Sequence, residues 1–376
     1  MLHRINPPDA VWQDIFKHIL AFQREVLAFA CNPSTSHSLT KDQIENEFGA
    51  AADWFWKQLH VQRGDNKGNP NDLHRALKAL IEFVQKNPGV GQTILDAFDH
   101  DIAFPDHIAD PGFQFSYQTV LDDATKNALK PLMIAFYEQL LARGFPEQIH
   151  NNPMKFDRDA FVQEFWAANS DLNVCPACDG QRPDSIDDKN YSDVDHYLPK
   201  AAYSFLSVHP ANLVPICKEC NSSFKGTRDP IDEADDAPLV NIFIPYYRPA
   251  LDFIDVQAYR TDEGVLQFRI LDSDGSRSRR VDNLDKTFRL EDRWRSRTDQ
   301  VTGSIREALS GARRIMLRLR INPKRVGLET ELGEMGKERT KRIGKDYNYV
   351  LHASYLRFAK EDPGEFGELL RQFKGE

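Results

Sequence analysis

Cysteine is scarce in this chain: five residues among 376. That is too few, and an odd number, for the disulfide framework of a small secreted domain. Long apolar runs are missing. No stretch approaches the ~18 residues a membrane-spanning helix requires. Residues 1–8 hold no apolar run of signal-peptide length and are interrupted by Pro7 and Pro8. A cytoplasmic protein without membrane attachment is therefore expected. An excess of positive charge is also missing. Lys and Arg number 48 against 57 Asp and Glu, for a net charge of −9. On its face that argues against a nucleic-acid binder, whose footprint is basic. What is there is a folding composition, 41% hydrophobic with 24 Phe and 5 Trp. This excludes a chain disordered throughout, and the length suits two or three domains.

Apolar periodicity predicts helices through residues 9–168. Val11, Ile15, Ile19, Phe22, Val26 and Phe29 make one stripe at the helical period behind Asp9, a candidate N-cap. A second helix opens at Thr40 with Gln43 three residues on, a capping-box pattern, and carries Ile44, Phe48, Ala51, Phe55 and Leu59. Further helical patterns cover 71–86, 91–103, 122–143 and 157–168, separated by loops such as Gly64 to Pro70. Trp54, Phe55, Trp56, Phe165 and Trp166 read as core, and Cys31 as a buried thiol. Residues 251–260 and 265–272 read as a hairpin turning at Gly264, and 284–320 as helical, with two or three helices to follow. The expected architecture is mainly α with a small α+β part. Its domains would be a helical one over 1–170, a central one over 171–230, and a mixed, Arg-rich region over 231–376.

Four of the cysteines form two Cys-x-x-Cys pairs, Cys175/Cys178 and Cys217/Cys220. Four thiolates are the closed tetrahedral set that structural zinc prefers. Residues 179–216 between the pairs exceed a simple zinc ribbon. Within them, Tyr191 to Leu198 reads as a strand ending at Pro199, Asn212 to Ile216 as a second, and Lys218 to Gly226 as a short helix. Asp195 and His196 close the first strand and Asn221 opens the helix. A carboxylate and an amide oxygen suit a hard cation, and a neutral imidazole suits a general base. His209, before Pro210, reads as structural. Asp184, Asp187, Asp188 and Asp193 read as a solvated charge run.

This segment, 172–228, resembles the HNH (ββα-metal) endonucleases. The family pattern Asp-His-x-x-Pro, a central Asn-Leu, Cys-x-x-Cys-Asn and a following Lys is present here in order, from Asp195-His196 through Asn212-Leu213 and Cys217 to Asn221 and Lys225. The resemblance implies that His196 removes a proton from the attacking water. It implies that Asp195 and Asn221 hold one catalytic Mg²⁺ or Mn²⁺, with Asn221 where many members have His. Asn212 would hold the loop and orient the base, and Cys175, Cys178, Cys217 and Cys220 would bind structural Zn²⁺. The expected activity is hydrolysis of DNA phosphodiester bonds. Two readings compete with it: a catalytically silent zinc-stapled binding module, and a nuclease acting on RNA. Proteins of this type look similar to effectors of bacterial antiphage defence, including those encoded beside an ATPase or a reverse transcriptase, so a protein partner is expected. One such centre cuts one strand, so a double-strand cut would call for a homodimer or repeated nicking.

The charge deficit is uneven. From Arg277 to Lys345, twenty Lys and Arg face ten Asp and Glu, near +10, leaving about −19 for the rest. Fifteen of the twenty are Arg, the residue suited to bidentate phosphate contact. Arg313, Arg314, Arg318 and Arg320, with Lys200 and Lys225 near the motif, are the candidate nucleic-acid contacts. The bland alternative is a helix face paired with acids. An acidic N-terminal region shielding the basic surface would make deletion of residues 1–165 raise basal cleavage.

Overall fold

The computed structural model describes residues 1–36, 38–61, 72–183, 185–186, 189–190, 192–231, 237–276 and 278–376, with backbone alone at 185, 186, 189 and 190. Gly64 to Pro70, Asp184, Asp187, Asp188, Tyr191, Arg277 and part of the acidic stretch 229–238 lie outside them. The architecture is mainly helical, with two-stranded antiparallel sheets as its only sheets among the described residues. No helix there is long and apolar enough to cross a membrane.

The N-terminal helices are α1 (Ala10–Cys31), α2 (Lys41–Phe48), α3 (Ala52–His60), α4 (Asp72–Lys86), α5 (Val90–Ile102), α6 (Ser116–Thr119), α7 (Asp123–Ala135), α8 (Glu147–His150) and α9 (Arg158–Ala168). The sequence signals at their starts hold. The Asp9 carboxylate accepts from the Trp12 N–H, and Thr40 and Gln43 form the reciprocal capping box. The expected single helix from Thr40 through Leu59 is corrected to two, because Gly49 turns the chain at φ 47° and divides α2 from α3. The helix expected over 122–143 is also corrected. It runs as α7, with Pro131 inside, and then widens into a π-helical turn, Phe136–Leu141.

The central segment holds β1 (Ser185–Ile186) with β2 (Lys189–Asn190), and β3 (Asp193–His196) with β4 (Leu213–Ile216). Asn212 belongs to a 3₁₀ turn before β4 rather than to the strand. The short helix expected after Cys217 is present as a π-helical turn, Glu219–Lys225, closed by the Gly226 N–H on the Asn221 carbonyl at 2.8 Å. The predicted hairpin is β5 (Ile254–Arg260) against β6 (Leu266–Asp272). The helical run from 284 to 320 is three helices: α10 (Ser278–Phe288), α11 (Leu290–Arg295) and α12 (Thr298–Arg318). The first break falls at Arg289, at φ 51°. Three more complete the chain, α13 (Arg325–Lys341), α14 (Tyr349–Glu361) and α15 (Pro363–Lys374).

A continuous apolar cluster runs from the N-terminal helices through the central segment to the C-terminal hairpin and helices. Phe55, Phe165 and Trp166 are buried in it, with Trp54 and Trp56 packed at its edge. Burial pushes the Cys31 thiol up to about 12. Direct hydrogen bonds tie the N-terminal helices to the loop between β3 and β4. Ser207 Oγ donates to the Met133 carbonyl at 2.6 Å and Gln118 Nε2 to that of Ala202 at 2.5 Å. His209 donates Nε2–H to Ile102 at 3.1 Å and accepts from the Ala211 N–H, the structural role expected of it.

Candidate active site and metal centre

The two Cys-x-x-Cys pairs converge. The sulfurs of Cys175, Cys178, Cys217 and Cys220 lie within 4.8 Å of one another, and those of Cys175 and Cys220 are 3.9 Å apart. Four sulfurs ~2.3 Å from one zinc ion sit roughly 3.8 Å from each other, so the set fits a metal such as zinc. The backbone supports it. The Cys217 N–H donates to Cys175 Sγ and the Cys220 N–H to Cys217 Sγ, both at 3.4 Å. Gly180 follows the first knuckle because an added Cβ would sit 3.0 Å from Cys178 Sγ and 3.1 Å from an Arg297 guanidinium nitrogen. Arg293 of α11 reaches in from the C-terminal region. It donates to Cys220 Sγ at 3.0 Å and stacks over Phe224 at 4.1 Å. Burial disfavours its charge, but the sulfurs of Cys178 and Cys220 outweigh that and raise its pKa.

Beside the knuckles lies a cleft of about 570 Å³ lined by Asp195, His196, Lys200, Asn221 and Lys225, and by Tyr137 and Arg158 from the N-terminal helices. The β3–β4 register pairs Asp195 with Val214 and His196 with Leu213, and the Tyr246 hydroxyl pins β4 through the Leu213 carbonyl at 2.6 Å. Asn212 clamps the connecting loop. Its Oδ1 accepts from the Leu198 N–H at 2.6 Å, and its Nδ2 donates to Leu198 and Leu206 carbonyls at 2.9 and 3.2 Å.

His196 Nε2 lies 2.9 Å from the Ser207 carbonyl. A carbonyl only accepts, so Nε2 carries the proton and Nδ1 keeps a lone pair. The ring packs edge-on against Tyr137 at 4.3 Å. Burial first, then the Lys200 ammonium, lowers its pKa to about 3, so it is neutral at pH 7. Asp195 is buried. Its Oδ1 accepts from Lys225 Nζ at 2.9 Å, whereas its Oδ2 has no hydrogen-bond partner. Burial raises its carboxyl, against the pull of Lys225. Asn221 donates its amide N–H to Asp193 Oδ2 at 3.2 Å, which leaves its carbonyl oxygen as an acceptor. An orphaned carboxylate oxygen and an amide oxygen in one cleft fit a hard divalent cation.

Of the two motif lysines, Lys225 faces inward and Lys200 is half-buried at the edge of the cleft. Lys225 is buried, with Nζ on Asp195 and on the His196 carbonyl at 2.7 Å. Lys200 Nζ sits on Glu138 at 2.9 Å and over the Tyr137 ring at 4.9 Å. The C-terminal arginines do not line this cleft. Arg313 donates to the Lys374 carbonyl at 3.3 Å, while Arg314, Arg318 and Arg320 are exposed among equally exposed Ile315, Leu317, Leu319 and Ile321. Sequence reasoning missed Tyr137, Glu138, Arg158 and Arg293. Each arrives by long-range packing, and none carries a motif or spacing that marks it.

No family model matches the chain, and no solved structure does. Over 44 residues, 12% of this chain and 15% of the relative, it is 48% identical to protein ea31 of Escherichia phage lambda. Over 69 residues, 18% of this chain and 24% of the relative, it is 38% identical to the Septu protein PtuB of Bacillus thuringiensis. The matched stretches thus span a quarter or less of these relatives, and what the comparisons establish is a local likeness to PtuB and to a phage protein, beside a four-cysteine cluster that can hold zinc.

Proposed function

We propose that the chain is a metal-dependent HNH endonuclease acting on DNA, with the cysteine cluster as its structural zinc site. One observation carries the reading: the orphaned Asp195 Oδ2 shares a cleft with Asn221 and with an imidazole whose free nitrogen is fixed. A divalent cation held by Asp195 and Asn221 would neutralise charge on the phosphate oxygens and on the leaving oxygen. His196 Nδ1 takes the proton of the attacking water. The Ser207 carbonyl holds the ring in the tautomer this requires, and Asn212 keeps the intervening loop closed. The reading extends to a role in defence against phage alongside a partner protein, and the local likeness to PtuB supports it.

The Lys225–Asp195 pair favours a second reading, a zinc-stapled module that binds without turnover, because an ammonium already neutralises the carboxylate. Plasmid cleavage separates the two. Incubation with Mg²⁺ is expected to nick or linearise supercoiled DNA, with the activity lost in chelator. His196→Ala is expected to abolish it at unchanged zinc content, in a chain that remains folded at the assay temperature although it loses the buried bond to Ser207. Equal cleavage by that variant would remove His196 from the chemistry, and no cleavage by the parent would leave the binding module.

A further inference from the structure

Three cations line the catalytic cleft, Lys225, Lys200 and Arg158. A phosphodiester entering it needs a positive group to receive it, and two of the three are already taken. Lys225 is buried on Asp195, and Lys200 is held by Glu138. Arg158 has no carboxylate partner among the described residues. Its guanidinium lies 5.7 Å from the centroid of the Tyr137 ring, the same ring that packs on His196. It is exposed at the first position of α9, with Asp157 as N-cap behind it, so the backbone that presents it is fixed. A planar guanidinium fits two phosphate oxygens at once, which an ammonium does not.

We propose that Arg158 is the residue that receives and orients the scissile phosphate, so that the helical N-terminal part of the chain supplies the substrate-facing wall of the cleft. The reading rests on the nuclease assignment. It places the phosphate contact on the N-terminal helices, outside the HNH-like segment and far in sequence from the Arg-rich stretch.

The test uses the full chain and a 30-base-pair DNA duplex. In the His196→Ala background, with Ca²⁺ in place of Mg²⁺ and no chelator, so that the cysteine cluster is left intact, fluorescence anisotropy reads binding alone. Addition of Arg158→Ala is expected to weaken it about 10–100-fold, the range for a lost charge-assisted hydrogen-bonding pair. Arg158→Lys should recover part of the loss. Lys155→Ala, which removes an exposed charge nearby, should stay within about twofold, since long-range charge effects between exposed groups are screened. In otherwise unaltered protein, Arg158→Ala should lower kcat/KM by a similar factor without moving the melting temperature. If Arg158→Ala binds the duplex as tightly as its background, or if Lys155→Ala weakens binding equally, the assignment of Arg158 is overturned. The two readings fail separately. A parent that binds but does not cut refutes the nuclease while the anisotropy series still decides Arg158. A parent that neither binds nor cuts refutes both.

Discussion

His196, His209 and His352 show how much single residues owe to their surroundings. All three are buried, and burial lowers their pKa values to about 3, 4 and 4. An unfolded histidine titrates near ~6.5. Between these values the unfolded chain binds more protons than the folded one, so this contribution is fully present above about pH 6.5 and is lost as pH falls toward 4. His352 lies outside the cleft, stacked on Tyr349 with its Nδ1 unpartnered. Replacing it by Gln should therefore flatten the decline of melting temperature between pH 7 and 5. An unaltered slope would show that its charging contributes nothing. Arg293 makes the same point at the four-cysteine cluster. It donates to Cys220 Sγ, and its removal leaves that sulfur without its buried cationic partner. Arg293→Met should weaken zinc binding about 10–100-fold, as losses of hydrogen-bonding partners behind metal ligands do. Competition against a chromophoric chelator measures it, and an unchanged affinity would reduce Arg293 to packing.

At the scale of elements, what could be read in advance was what is local. The Asp9 cap, the Thr40–Gln43 box and the β5–β6 hairpin each lie within a few residues of their own signal. That the cysteine pairs converge, and that Asp195, His196 and Asn221 share one cleft, was legible because a motif restricts residue type and spacing. The breaks at Gly49 and Arg289 were not, since each is one residue adopting a positive φ inside an unbroken apolar pattern. Nor were the two π-helical turns, whose apolar spacing counts like that of an α-helix over so short a run. Lys225 illustrates the limit most clearly. A lysine after the second knuckle looks like a phosphate ligand in sequence, and only the fold shows it buried against Asp195.

For the whole molecule, the −9 average conceals a basic segment near +10, yet that segment does not line the cleft of Asp195 and His196. Its exposed tip mixes arginine with aliphatic side chains. The N-terminal helices take the place the sequence assigned to a shield. They supply Tyr137 and Arg158 to the cleft and hold the β3–β4 loop through Met133, Ile102 and Ala202–Gln118. Deleting residues 1–165 should therefore abolish cleavage and expose apolar core, seen as aggregation or dye binding. Raised activity would instead restore the idea of autoinhibition.

The cleft sits between two π-helical turns, Phe136–Leu141 bearing Tyr137 and Glu138, and Glu219–Lys225 bearing Asn221 and Lys225. Such a turn accommodates roughly one residue more than an α-turn. The sides of the site lined by Tyr137 and by Asn221 are thus each set by a single supernumerary residue, while β3 brings Asp195 and His196 and α9 brings Arg158. Losing one would let the helix tighten and swing every later side chain by about 100° around its axis. The site would then be far more sensitive to one-residue deletions than to substitutions at the same positions, a fragility of counting rather than of chemistry.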